Sequence, residues 1–303
     1  MAAQLREIRQ RIRGVQSIAQ ITRAQELIAS SRIIKAQQRV RDAAPYAREV
    51  AEAVEAVVSR SPQIDHPLTR EPEHPERAAI LILTSDRGFA GGYNANVLRE
   101  AQRLRTLLRD RGVEPVSYVS GTKGIAWHRF RDQHVEGDWR GFSESPQHEN
   151  ARDITNTLFA AFGKPAADGG VDEIHLVYTQ FISMLTQNAV VRRILPLVIE
   201  ETTEEPPGGP LPLYEFEPSA PAVLDALLPW YVESRIYQAL LESAAAEIAA
   251  RRRAMKSATD NANELLEQFT LEANKARQAE ITQEISEIVG GANALAESVA
   301  GKE

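Results

Sequence analysis

Between Trp230 and Val289 the chain runs 60 residues without a proline or a glycine. Nothing in that stretch obliges a helix to stop. At a rise of ~1.5 Å per residue it predicts a helix on the order of 90 Å long, which must find a partner along its length. Stepping in strict 4-3 alternation from Leu241 meets Ala245, Ile248, Arg252, Met255, Thr259, Ala262, Leu266, Phe269, Ala273 and Ala276. This is the heptad seam of a left-handed coiled coil. Alanine dominates it, and Arg252 and Thr259 interrupt it, so each position buries less than the ~1.5–3 kcal/mol worth of area that Leu or Ile would supply.

The opening of the chain carries the matching pattern. Residues 3–44 contain no proline and a single glycine, Gly14, and Leu5, Ile8, Ile12, Val15, Ala19 and Thr22 follow the same spacing. A second ridge, Ile18, Ile21, Ile28, Ile33, Ile34 and Val40, is expected to take over as the phase drifts. Pro45 need not end this helix, because Val50, Val54, Val57 and Val58 resume the pattern; Pro62, Pro67, Pro72 and Pro75 do end it. Two long helices at opposite ends of a chain, with other material between, predict an antiparallel pair.

The middle reads differently. Ala78–Thr84 is a short apolar run suited to a strand buried on both faces. A turn, SDRGFAGGYN, and a helix over Ala95–Arg109 follow. Strands are expected at Val116–Val119, Glu173–Thr179 and Val190–Ile199, and helices at Gly124–Phe130 and Ala151–Phe162. This alternation predicts a Rossmann-like α/β domain, its sheet mostly parallel with helices on both faces. The predicted organisation is a long N-terminal helix (1–60), the α/β domain (76–200), an acidic, proline-rich linker (201–229) with a flexible exit over Glu200–Pro212, and the closing helix (230–303).

The 303 residues include no cysteine, which excludes disulfides and thiol chemistry and fits a reducing cytoplasm. No apolar run approaches ~18 residues and the N-terminus has no apolar core, so neither a membrane span nor a signal peptide is expected. The net charge of −7 argues against bulk nucleic-acid binding. The charge is uneven, however: residues 1–44 hold nine basic and three acidic side chains, Arg251, Arg252, Arg253 and Lys256 form a second basic cluster, and Glu200–Glu217 carries six acids. Side by side, the two basic stretches would form a positive collar for an acidic partner.

Catalytic signatures are missing. Gly88, Gly91 and Gly92 do not spell a dinucleotide-binding loop, and no phosphate-binding P-loop occurs. The first strand therefore leads into a plain strand-to-helix turn, with Asn94 near the helix cap and Asp86 and Arg87 as a structural charged pair. The six histidines lack metal-ligand spacing. No nucleophile elbow is present. No cofactor is expected.

Three segments nevertheless are distinctive: SDRGFAGGYNANV (Ser85–Val97), ITRAQELIASSRIIKAQ (Ile21–Gln37), and the closing stretch from Tyr231 to Leu295. Together and in this order they resemble the γ subunit of F-type ATP synthases, in an actinobacterial version. Ala90 stands where many members have cysteine. The resemblance implies a non-catalytic central rotor shaft inside a ring of α and β subunits, at the cytoplasmic face of the bacterial plasma membrane. Proton-driven rotation would cycle the catalytic β subunits, with the ε subunit and the c-subunit ring as further partners. It implies that Arg277 and Gln278 engage a β-subunit loop, and that Arg23, Gln25, Arg251 and Arg252 face an acidic region of β. Ile281, Ile285, Ile288 and Leu295 would form an apolar bearing tip, and Leu213, Tyr214 and Glu215 a foot against the c ring. Two other readings stay open on the residues alone: a coiled-coil scaffold or chaperone with an α/β head, and a nucleotide-binding enzyme with a helical arm.

Overall fold

In the structure, a computed structural model, residues 2–60, 71–197, 217 and 219–300 are described. Cα packing divides the chain into two compact units, residues 1–28 with 252–303, and residues 29–251.

The larger unit holds a five-stranded sheet: β1 (Arg77–Leu83), β2 (Glu114–Ser120), β3 (Gly137–Trp139), β4 (Glu173–Phe181) and β5 (Gln187–Leu195). Its order is β3-β2-β1-β4-β5; the first four run parallel and β5 pairs antiparallel to β4. The strand side chains alternate between two cores, as a period of two requires. Leu81 and Leu83, with Ile174 and Leu176, point to one face, where Ile154 and Leu158 of α4 (His148–Phe162) and Ile236 and Leu240 cover them. Ile80 and Ile82 point to the other, beneath Val97, Ala101, Leu104 and Leu108 of α2 (Tyr93–Asp110). A shorter helix, α3 (Thr122–Phe130), follows β2. The three-residue β3 lies too short for a periodicity signal.

The opening helix ends where its sequence estimate does, and the closing helix starts ten residues earlier than the expected Trp230. α1 spans Ala2–Arg60 with Pro45 inside it, and α5 spans Ala220–Ala300 with Pro229 inside it. Each proline removes one backbone donor. Packing on both sides offsets the loss around Pro229: Leu224 and Leu228 are fully buried against Val54 and Val57. Gly290 and Gly291 likewise do not end α5, which runs on through them to Ala300.

Within the larger unit, Ala29, Ile33 and Ala36 pack on Ala245, Ile248 and Ala249, while Val54 and Val57 meet Leu224 and Leu228, so the helices there run antiparallel. In the smaller unit, the Thr259 hydroxyl donates to that of Thr22 over 2.8 Å. Leu5, Ile8, Ala19 and Thr22 are buried on one helix, Met255, Thr259 and Ala262 on the other, and Leu266, Phe269, Ala273 and Ala276 are half-buried. The 4-3 seam therefore holds.

The second isoleucine ridge does not replace it. Ile18, Ile21, Ile28 and Ile34 are exposed, and the buried positions continue in heptad phase through Glu26, Ala29, Ile33 and Ala36. The seam is set by the supercoil period rather than by the most apolar residue nearby.

Candidate functional surfaces

The turn after β1 sits where open α/β sheets usually take a phosphate. Here that space is filled by protein: Ala90 and Tyr93 are buried together with Ala246 and Ala250 of α5. α2 begins at Gly92 without a side-chain cap, and the Asn94 side chain turns instead to Ser85, its oxygen accepting from the Ser85 amide at 2.9 Å and its amide donating to the Ser85 hydroxyl at 2.8 Å.

Asp86 and Arg87 do not pair with one another. The Asp86 carboxylate accepts from the amide and hydroxyl of Thr122 and from the amides of Gly141 and Ser143, at 2.8–3.0 Å. Partial burial works to raise its pKa, but these bonds to the ionised form outweigh it and hold it below the usual aspartate value. The turn is thereby tied to α3 and to the segment after β3. Phe89, at φ 62° and 80% exposed, is its outermost side chain.

Arg251, expected on the positive collar, is buried instead. Its guanidinium donates to Glu247 at 2.6 Å and to Glu144 at 2.8 Å, and lies 3.4 Å from the Gly88 carbonyl. Glu144 also accepts from Arg32 of α1. One carboxylate thus links α1, α5 and the loop before α4. Glu247 has no exposed surface, and one of its oxygens has no hydrogen-bond partner. Burial pushes its pKa up to about 7 against the pull of Arg251, which Glu144 shares. The spacing of Glu247 and Arg251 was readable as an i, i+4 pair. Glu144 is more than a hundred residues from Arg251 in sequence, and no local signal points to it.

The other expected contacts to β and the apolar tip fall in the smaller unit. Arg23, Gln25, Arg277 and Gln278 are exposed, and Arg23 bonds Glu26 at 3.0 Å. Arg252 is half-buried, with its Nε buried and without a partner. Ile281, Ile285 and Ile288 are 44%, 55% and 71% exposed. Leu295 lies in α5, its side chain outside the described residues; Leu213, Tyr214 and Glu215, with the Glu200–Pro212 exit, lie outside them altogether. Among the described residues, no group of three or more His, Cys, Asp or Glu side chains could hold a metal ion, and no helix is long and apolar enough to cross a membrane.

These features define a class: an α/β domain whose usual ligand cleft is closed by one of two long, antiparallel, alanine-seamed helices, with apolar and basic side chains left outward on those helices. Comparison with known proteins makes the class specific. A family model described as ATP synthase matches residues 4–295. The ATP synthase gamma chain of Acidothermus cellulolyticus is 63% identical over 295 residues, covering 97% of this chain and 98% of that one. That of Thermobifida fusca is 56% identical over the whole of both chains. The chain belongs to the ATP synthase gamma chain family.

Solved structures share the fold at low identity. The rotor of Euglena gracilis mitochondrial ATP synthase, in rotational state 1, superposes with a TM-score of 0.69 at 16% identity over 93% of this chain and 100% of that one. A central stalk and c ring structure from Tetrahymena thermophila gives 0.57 at 20% identity, over 78% and 99%.

Proposed function

We propose that this chain is the rotor of a proton-driven F-type ATP synthase, seated peripherally at the cytoplasmic face of a bacterial plasma membrane. It is a non-catalytic subunit; the α and β subunits form the ring around it, and the ε subunit and the c ring attach to it. Three chemically identical catalytic sites can hold different states only if something non-equivalent touches each of them. A single asymmetric chain does this by differential contact, and turning it passes each state to the next site.

The observation that carries the reading is what the smaller unit leaves outward. Its seam is satisfied within the chain, yet Ile18, Ile21, Ile281, Ile285 and Ile288 remain exposed. On the proposed reading the last three serve as the bearing tip, where non-directional apolar contact permits sliding. Arg277, Gln278, Arg23, Gln25 and Arg252 are the polar contacts to β, and Leu213, Tyr214 and Glu215 the foot on the c ring. Arg251 acts from within by bracing α5.

The test is reconstitution of the full-length chain with α and β subunits. Co-elution with the hexamer and a change in its ATPase rate are expected. A chain that self-associates and leaves the hexamer untouched would instead support the scaffold reading.

A further inference from the structure

Two arginines without a carboxylate partner among the described residues, Arg105 and Arg109, lie at the amino end of the sheet, away from the turn after β1. β3 pairs with Tyr118–Ser120, so among the described residues the first half of β2 has no strand neighbour on that side. The gap is a pocket of about 470 Å³, bounded by Arg77 at the start of β1, by Glu114–Ser117, by Arg105 and Arg109 of α2, and by His134 and Glu136. That volume is in the range of small-ligand sites.

Within the pocket the charges do not cancel. Arg77 pairs with Glu114 at 3.1 Å, and His134 meets Glu136 at 3.1 Å. Arg105 and Arg109 have no carboxylate partner among the described residues. Arg105 is only 7% exposed, donates one guanidinium nitrogen to the Ser117 hydroxyl, and keeps its Nε buried with no acceptor. Its pKa is drawn down first by burial and then by the neighbouring Arg109. A buried cation beside a like charge, with an unsatisfied donor, is expensive unless an anion completes it.

We infer that Arg105 and Arg109 form a binding site for a small oxyanion of the phosphate class, either free or carried on a nucleotide-sized metabolite. Arg105 supplies a fixed donor at the floor, held by Ser117. Arg109, one turn further along the same helix face and exposed, closes over the anion from the rim. The site lies at the opposite end of the strands from the usual phosphate position of such sheets, which is why no glycine-rich motif announces it.

Equilibrium dialysis of the full-length chain against labelled inorganic phosphate, at constant ionic strength, tests this. One saturable site per chain is expected, with affinity falling about tenfold or more in Arg109→Gln and unchanged in Lys123→Gln, at the other end of the sheet. Arg105→Gln should abolish binding; if that variant fails to fold, the exposed Arg109→Gln still decides the matter. An AMP arm separates the sources: stronger competition by AMP than by phosphate assigns the anion to a nucleotide, and equal competition assigns it to free phosphate. Absence of saturable binding, or equal affinity in Arg109→Gln, overturns the inference.

Discussion

Glu247 is a carboxylic acid with no exposed surface. Its carboxyl is held up to about 7 in the folded chain, above the value of 4.5 it has when unperturbed. Between these two values the folded state binds more protons than the unfolded state, so stability falls as pH rises through that window. The full effect is on the order of 3 kcal/mol. Urea unfolding of Glu247→Gln at a series of pH values should show this slope flattened; an unchanged slope would mean that Glu247 stays ionised throughout. Asp86 and Glu173 act in a different window, since both are held below their ordinary values, and their contribution is lost only in acid. For Glu173 the main cause is the hydrogen bond from His175, at 2.7 Å. The sequence reading placed Arg251 in a surface charge run because a run of three arginines carries no sign of which one turns inward. The burial of Arg251 depends on Glu144 and Gly88, which only the fold brings to it.

At the scale of elements, the seam was legible and its surroundings were not. Strict heptad spacing identified Leu5, Ile8, Ala19 and Thr22, and Ala245, Ile248, Met255, Thr259 and Ala262, because a supercoil keeps one phase over many turns. The same reasoning misplaced Ile18, Ile21, Ile28 and Ile34, which are apolar but out of phase. The parallel strands were found because they are continuous apolar runs, while β3 was missed because three residues show no period. The start of α5 was misjudged at Pro229, where local propensity is the weaker influence. Continuity of α5 predicts that Leu266→Pro, which removes a helical hydrogen bond and clashes with the preceding turn, costs about 3 kcal/mol or more. Loss of far-UV helicity and of assembly with α and β is the expected result; normal assembly would mean that α5 need not be continuous there.

For the whole molecule, function and folding should separate at exposed positions. Arg277 and Gln278 are on the surface of the smaller unit, so the double replacement Arg277→Ala with Gln278→Ala should change unfolding free energy by no more than about 0.5 kcal/mol. The ATPase rate of the reconstituted complex should nevertheless fall severalfold; an unaltered rate would remove these two residues from the contact to β.

On the proposed function the chain turns inside a ring that does the chemistry. The chain has no cysteine, so one introduced by Lys164→Cys on the exposed surface of the α/β domain gives a single attachment point for an optical probe. With the α and β ring fixed to a surface and ATP supplied, the probe should rotate in one direction, pausing at thirds of a turn. A probe that stays still while the same complexes hydrolyse ATP would contradict the account.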